Sequence, residues 1–503
     1  MQYLIIRLSI ILLLCGSIIG QVPDTIWSKI QDITNDIDEG KCVRKTIDGG
    51  YIITGSCVSD GMNSFADVLL FKTDSNGNIQ WTKIYDRSFF EEGLSVGLSS
   101  DGGYIVGGRC LTGSYPFIEP PVSDAWILKT DANGDTLWSK IYGGSGNDYC
   151  TSILQTSDDG YIIGGTTNSE MNYPCWEINE DFEPDSARAW LIKTDVNGNI
   201  QWANTYLVRS HGNCVIQASG GGYIITGCVF PDPQSNQSDV LLIKTDANGE
   251  MIWSKIIGGS GYNVAFSVRE TTDGYVIAGQ TKAVGAPFNA YDALIIKTNL
   301  SGEVIWNKTI IGQWSNAAFS VDVSDNGYYF SGSTNGNWWI TAMSDMWIFK
   351  TDNNGNILWE RIYDIRSTDI LFSGTLCMNG GFVVTGMTSF GFGGDLWLAK
   401  LDSEPTDVNN KSSTPAKYVL YQNYPNPFNP STTISYSLPK AAHITLKIYN
   451  VLGRDIQTLV DEYIQAGQYS IKFDAKGLSG GIYFYSLQIG SDFVSTKKMT
   501  FIR

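Results

Sequence analysis

Histidine is almost missing from this 503-residue chain, which carries only His211 and His443. Charge is thin as well: 17% of residues are charged, and 34 Lys and Arg stand against 51 Asp and Glu, a net charge of −17. That balance repels phosphate backbones and excludes nucleic acid as a partner, while an acidic surface keeps an exported protein soluble. HExxH, CxxC and a Gly-rich loop ending in Lys-Ser or Lys-Thr do not occur, so neither a zinc centre nor a nucleotide site is expected. A Ser-His-Asp arrangement is left with His211 alone, which sits beside Gly212-Asn213 and reads as a surface histidine between repeats. Past the N-terminus no run reaches the ~18 consecutive apolar residues of a membrane-spanning helix. The expectation is of no catalytic residue, no cofactor and no metal site.

What the chain does hold is glycine, 54 residues, and tryptophan, 15 residues, the composition of short strands and tight turns. Its length suggests two to four domains. Residues 1–20 read as a secretory signal peptide: Arg7, the apolar run Leu8 to Leu14, then Gly16, Ser17 and Gly20. Eight cysteines remain beyond it, an even number that permits disulfides in an exported protein. Cys42 with Cys57 and Cys214 with Cys228 flank equivalent hairpins and are the expected bridges, leaving Cys110, Cys150, Cys175 and Cys377 unassigned.

Three signals each occur seven times. A Gly-aromatic step opens an apolar run at Tyr51, Tyr104, Tyr161, Tyr223, Tyr275, Tyr328 and Phe382. A Lys-Thr-Asp-like step closes another at Lys72, Lys129, Lys193, Lys244, Lys297, Lys350 and Lys400. A tryptophan follows at Trp27, Trp81, Trp138, Trp202, Trp253, Trp306 and Trp359. Asn-Gly and Asp-Gly steps between the runs mark hairpins, because glycine accepts positive φ. Four short strands per unit, seven times over, predict an all-β, seven-bladed β-propeller across residues 21–402. The first unit opens with a surplus strand, Thr25 to Ile30, and the last stops at Leu401-Asp402, so the N-terminal strand should close the last blade and remove its open edge. The tryptophans should pack between blades. The Asp-x-Asn-Gly elements should be hairpin chemistry, with Asp and Asn bonding their own backbone. Asp131, Gly134 and Trp138 form a D-x-x-G-x-x-x-W element that resembles the tryptophan-docking motif of pyrroloquinoline-quinone-type propellers. The loop is one residue shorter than that family's, and no cofactor-binding side chains are identifiable, so the resemblance implies blade architecture without a cofactor.

Residues 403–416 (SEPTDVNNKSSTPA) read as a linker. In 417–503, Ile444, Leu446 and Ile448 alternate with Thr445, Lys447 and Tyr449, the pattern of a half-buried strand, and a small Ig-like β-sandwich is expected. This segment resembles the type A C-terminal sorting domain of the type IX (Por) secretion system of Bacteroidota. The resemblance rests on Tyr424-Pro425-Asn426-Pro427-Phe428-Asn429-Pro430, Ser437-Leu438-Pro439, Leu446 to Arg454 with Gly453, Gly480-Gly481-Ile482-Tyr483-Phe484, and Lys497-Lys498-Met499, in that order. It implies recognition by the outer-membrane translocon and sorting machinery, removal of the domain, and release or attachment to surface lipopolysaccharide.

Ligand binding is expected on the variable loops between second and third strands. The candidate residues are Tyr115 and Phe117 in one loop, Tyr173, Trp176, Glu177, Glu180 and Asp181 in a second, and Trp338 and Trp339 in a third. Aromatic rings there would stack on sugars while carboxylates bond hydroxyls. The function expected is that of a secreted or cell-surface binding and adhesion module for a glycan or protein. The alternatives are a polysaccharide hydrolase using carboxylates of the 168–186 loop and a purely structural surface protein.

Overall fold

Each repeat builds its sheet from the inside outward. Third strands such as Asp239–Thr245 and Asp345–Thr351 carry four consecutive buried apolar residues and are covered on both faces. Fourth strands such as Thr136–Tyr142 alternate half-buried and exposed positions, because one face meets solvent. The turn between them is held by its first residue. Asp74 Oδ1 accepts from the backbone N–H of Asn76 and Asn78 at 2.8 Å, and Asp131, Asp195, Asp246, Asn299 and Asp352 repeat the arrangement. This is the local bonding the sequence predicted for these elements.

The structure, a computed structural model, describes residues 23–501 except 35, 59–65, 88–89, 113–121, 145, 169–186, 233–234, 236, 260, 283–290, 312–314, 337–343, 378–380, 391–392, 403–417, 421–422, 424–427, 429, 465–466 and 491–492. The described residues are all-β, without a helix. The chain divides into two compact units, Met1–Pro405 and Thr406–Arg503.

In the first unit, four-stranded antiparallel sheets span 38–85, 91–142, 147–208, 210–257, 262–310 and 315–363. One more is made of 368–401 together with Thr25–Gln31. In that last sheet Thr25–Gln31 pairs antiparallel with Gly393–Leu401, Trp27 opposite Lys400 and Gln31 opposite Leu396. The first strand of every sheet packs across the preceding sheet, and the first strand of the first sheet, Asp38–Lys45, packs across the last.

The repeated tryptophans carry these junctions. Trp27, Trp81, Trp138, Trp202, Trp253 and Trp306 dock on the next sheet's turn glycine: Gly77, Gly134, Gly198, Gly249, Gly302 and Gly355. These glycines have φ between 72° and 81°, and a side chain there would run into the indole ring. Each indole also lies against the next sheet's Gly-aromatic residue, as Trp138 does on Tyr161 at 5.9 Å. The Tyr142 hydroxyl donates to Gly198 O at 2.6 Å, and Tyr85 and Tyr206 make the same bond one sheet away on either side. Trp359 has no such glycine to meet, because the seventh sheet takes its fourth strand from the N-terminus. It is instead buried against Tyr329 in the cluster with Phe382 and Trp397.

The second unit holds a three-stranded sheet (Val419–Leu420, Ser431–Leu438, Gly467–Asp474) and a four-stranded one (Asp455–Ile464, Ala442–Asn450, Gly481–Ile489, Phe493–Phe501). They enclose one core that includes Phe428, Ile434, Tyr436, Tyr485 and Met499. Ile444, Leu446 and Ile448 all face it, as their alternation predicted.

Two expectations fail. Cys42, Cys57 and Cys214 are free thiols, so neither the Cys42–Cys57 nor the Cys214–Cys228 bridge is made. Cys42 lies opposite Thr54 and Cys214 opposite Thr226, which leaves the supposed partner two or three rungs away, roughly 7–10 Å along the strand. The cross-strand gap adds to that, and a disulfide spans at most ~7 Å between Cα atoms. Cys42 and Cys214 recur for a different reason: Ser95, Ser152, Ser267, Ser320 and Ser373 fill the same position of the other first strands. There Ser95 Oγ accepts from Ile153 N and Ser373 Oγ from Val43 N of the following sheet, and Cys42 Sγ faces Val96 O at 4.0 Å. The second failure is His211, which is not a surface residue but lies buried in the strand Ser210–Gln217 against Phe230.

Candidate functional site

A β-bulge inserts one extra residue into a strand and aims its side chain away from the ladder. Every first strand of the repeats carries such a register shift, at Lys41, Leu94, Thr151, Asn213, Phe266, Phe319 and Phe372. All seven side chains are half-buried, and four of them form a continuous run. Phe266 meets Phe319 at 5.1 Å between ring centroids and Phe319 meets Phe372 at 6.1 Å. Lys41 Nζ stands 4.0 Å over the Phe372 ring, linking the first sheet to the seventh. Thr151 Oγ1 donates to Gly212 O and Asn213 Nδ2 to Ala265 O, each at 2.8 Å.

Charge gathers on one side of this junction. Lys41 Nζ lies 2.6 Å from Glu39 and 3.7 Å from Glu92, and Arg109 reaches Glu92 at 3.0 Å. The Arg109 guanidinium also lies over the rings of Phe90 and Tyr149, at 5.1 and 5.5 Å. Burial pulls the Lys41 ammonium down, but Glu39 and Glu92 outweigh it and leave its pKa raised. The cluster therefore offers two fixed cations, two carboxylates and three aromatic faces. It sits toward the starts of the first strands, the end from which the chain enters and leaves the second-to-third loops. His211 occupies the position equivalent to Glu39 and Glu92, and burial pushes its imidazole down to about 4. It is therefore neutral near pH 7.

Sequence reasoning missed this cluster. Its trace in the chain is a position of five different residue types over seven repeats that always precedes a serine or cysteine, as in Gly40-Lys41-Cys42 and Gly93-Leu94-Ser95. Tyr115, Phe117, Tyr173, Trp176, Glu177, Glu180, Asp181, Trp338 and Trp339 lie outside the described residues. The strands that bracket their loops, ending at Leu111, Asn168 and Gly336, finish at this same end of their sheets. Two groups of three acids also went unforeseen: Asp67, Asp86 and Glu91, and Asp345, Asp364 and Asp369, each with ligand oxygens within 4.8 Å of one another. Each group lies at a junction between consecutive sheets.

In the C-terminal unit Phe428 is buried between Phe473 and Phe501 and donates its N–H to Thr500 O at 2.9 Å. Gly453 closes a turn with φ 73°, in which Asn450 Oδ1 accepts from Leu452 N and Arg454 N. Tyr483, following Gly480 and Gly481, donates its hydroxyl to Ser479 O at 2.7 Å. Lys497 and Lys498 lie in the final strand. Pro425, Asn426, Pro427 and Asn429 are outside the described residues.

These elements define an all-β chain of repeated four-stranded sheets carrying a separate two-sheet unit at its C-terminus. Residues 422–502 match the family described as the secretion system C-terminal sorting domain, so the chain carries a type IX sorting tail. That tail implies export by the type IX system, interaction with its sorting machinery and attachment at the cell surface. Over 137 residues the chain is 26% identical to the regulatory protein FlaEY of Caulobacter vibrioides, a match covering 26% of this chain and 14% of that protein. A protein of unknown function from Bacteroides caccae is similar at 13% identity and a TM-score of 0.35, over 61% of this chain and 93% of that one. YCF48 bound to a D1 peptide is similar at 9% identity and a TM-score of 0.41, over 77% of this chain and 97% of that one. Likenesses this distant define no shared activity.

Proposed function

We propose that this chain is a secreted or cell-surface binding and adhesion module: a seven-bladed β-propeller closed by its N-terminal strand, joined to an Ig-like type IX sorting domain. Its ligand is a glycan or a protein, taken at the mouth where the seven first strands meet. The observation that carries this reading is the Lys41–Glu39–Glu92–Arg109 cluster with Phe372, Phe90 and Tyr149 around it. Two cations held in place by carboxylates and backed by aromatic faces suit a neutral or acidic hydroxyl-rich ligand. Because these groups come from neighbouring sheets, they keep their spacing without a ligand. The strands ending at Asn168 and Gly336, which lead into the variable loops of Trp176 and Trp338, finish at this same end of their sheets, and those loops would enlarge the contact.

The mature protein, applied to a glycan and polysaccharide array scored for both binding and product release, tests the reading. Binding without product is the expected result. Lys41→Met should weaken it about tenfold, the loss of one charge-assisted hydrogen bond. Equal binding by the variant, or release of cleaved glycan by the parent, would overturn it.

A further inference from the structure

A buried carboxylate oxygen that receives no hydrogen bond is costly enough to need a reason. Asp124, on the third strand of the second sheet (Ser123–Thr130), is such a group. It is 7% exposed, and its Oδ1 is enclosed without a partner. Opposite stands Asp148, 2% exposed, near the start of the third sheet's first strand (Asn147–Gln155). Asp148 Oδ2 accepts from Gly144 N at 2.9 Å. Burial, with Asp124 adding to it, holds the Asp148 carboxyl above the ordinary carboxylate range. Among the described residues neither carboxylate makes an ion pair.

Gly143 lies beneath the two groups. A methyl added to it would collide with Asp124 Oδ1 and come within 2.7 Å of Asp148 Oδ2. The absence of a side chain at Gly143 thus lets the two oxygens converge over its backbone. At the two junctions where acids fill all three positions, first to second sheet and sixth to seventh, Asp86 and Asp364 stand where Gly143 does, and the three carboxylates approach within 4.8 Å.

The junction between the fourth and fifth sheets shows what the space lacks. There Asp239 replaces Asp124, Gly258 replaces Gly143 and Asn263 replaces Asp148. Asp239 Oδ1 accepts from Asn263 Nδ2 at 3.3 Å and from Gly259 N at 3.2 Å. One amide in place of one carboxylate supplies the missing positive end. Where both residues are aspartates, no such donor reaches Asp124 Oδ1.

We propose that Asp124 and Asp148 bind a calcium ion over Gly143, between the second and third sheets. The donors are hard oxygens, two of them anionic, and backbone carbonyls and water would complete a coordination sphere of about 6–8 oxygens. Magnesium fits less well, since it holds its waters and demands a tighter octahedron. Affinities of extracellular calcium modules, roughly 0.1–1 mM, suit a protein that works outside the cell. This proposal is independent of the ligand reading given above.

The test is calcium chloride titration of the chelator-treated full chain, followed by isothermal titration calorimetry and thermal unfolding. At about 10 mM calcium the parent should gain about 2–3 °C in melting temperature. Asp148→Asn, which copies the Asp239–Asn263 junction, should bind one calcium fewer, while its metal-free melting temperature equals or exceeds that of the parent. Gly143→Ala keeps both carboxylates but sets a methyl against Asp124 Oδ1 and Asp148 Oδ2, and it should lose the same single ion. Calcium held by the three-acid clusters does not affect this difference. An unchanged stoichiometry in both variants, or a parent without calcium response, would overturn the proposal and leave a proton shared by the two aspartates.

Discussion

Lys129 is almost fully enclosed, and its counterion sits at the turn of its own sheet. Nζ lies 2.8 Å from Asp101, in the Asp-Gly-Gly step between first and second strands. Lys72 with Asp48, Lys193 with Asp158 and Lys297 with Asp273 repeat the pair at 2.8–2.9 Å. The sequence displayed both halves, the Lys-Thr-Asp step and the Asp-Gly turn, but they lie 24–35 residues apart, and only the fold joins them. Partial burial pushes the four aspartates up, and lysine, hydroxyl and backbone donors outweigh it, so all four titrate below the ordinary carboxylate value, Asp48 at about 2. A folded value below the unfolded one contributes stability that is present above about pH 4 and is lost as pH falls through the folded value. Asp101→Ala should therefore cost about 1–2 kcal/mol at pH 7. That is less than for a fully buried pair, because Asp101 faces water on one side. The deficit should shrink as pH approaches 2, and urea unfolding at both pH values measures it.

Among elements, the docking of a tryptophan on the next sheet's turn links local sequence to assembly. Gly198 has φ 72°, and a methyl on it would approach the Trp138 ring to 2.9 Å. Gly102 has φ 85° with open space around it. Gly198→Ala should cost about 2 kcal/mol, combining backbone strain with displacement of the indole, whereas Gly102→Ala should cost about 1 kcal/mol for the backbone alone. Thermal unfolding compares them, and a shift in tryptophan emission should accompany only the first. The repeats were legible because the residues that recur are those that touch a neighbouring sheet: Trp on Gly, Tyr under Trp, Ser on the next backbone. The bulge position was not legible, since Lys41, Leu94, Thr151, Asn213 and three phenylalanines share no chemistry. The contacts among Phe266, Phe319, Phe372 and Lys41 arise between consecutive sheets and between the seventh and the first, which no single segment displays. The cysteine spacing misled for a related reason. Cys42 and Cys214 recur as stand-ins for a serine position, and the strand register keeps each from its expected partner.

For the whole molecule, the sorting tail is a separate compact unit with its own two-sheet core, and sequence sufficed to find it because its motif residues are turn glycines, core aromatics and a terminal strand in fixed order. Deleting 417–503 should leave the remaining sheets folded and strand the protein in the periplasm. Cell fractionation with circular dichroism checks both halves, and surface display of the truncated chain would contradict the assignment. The seventh sheet adds a constraint of order. Its fourth strand, Thr25–Gln31, is the earliest described strand of the chain to leave the ribosome, and its partner, Gly393–Leu401, is the final strand of the repeat unit. Six sheets can zip up from neighbouring sequence as synthesis proceeds, but the seventh waits for a pairing across the whole repeat unit, the slow kind of contact. Until then Ile26 and Ile30, still partly exposed in the finished fold, dangle on an unmated leading segment. A periplasmic chaperone, or swift passage to the translocon, would have to guard that segment against mispairing with a second copy.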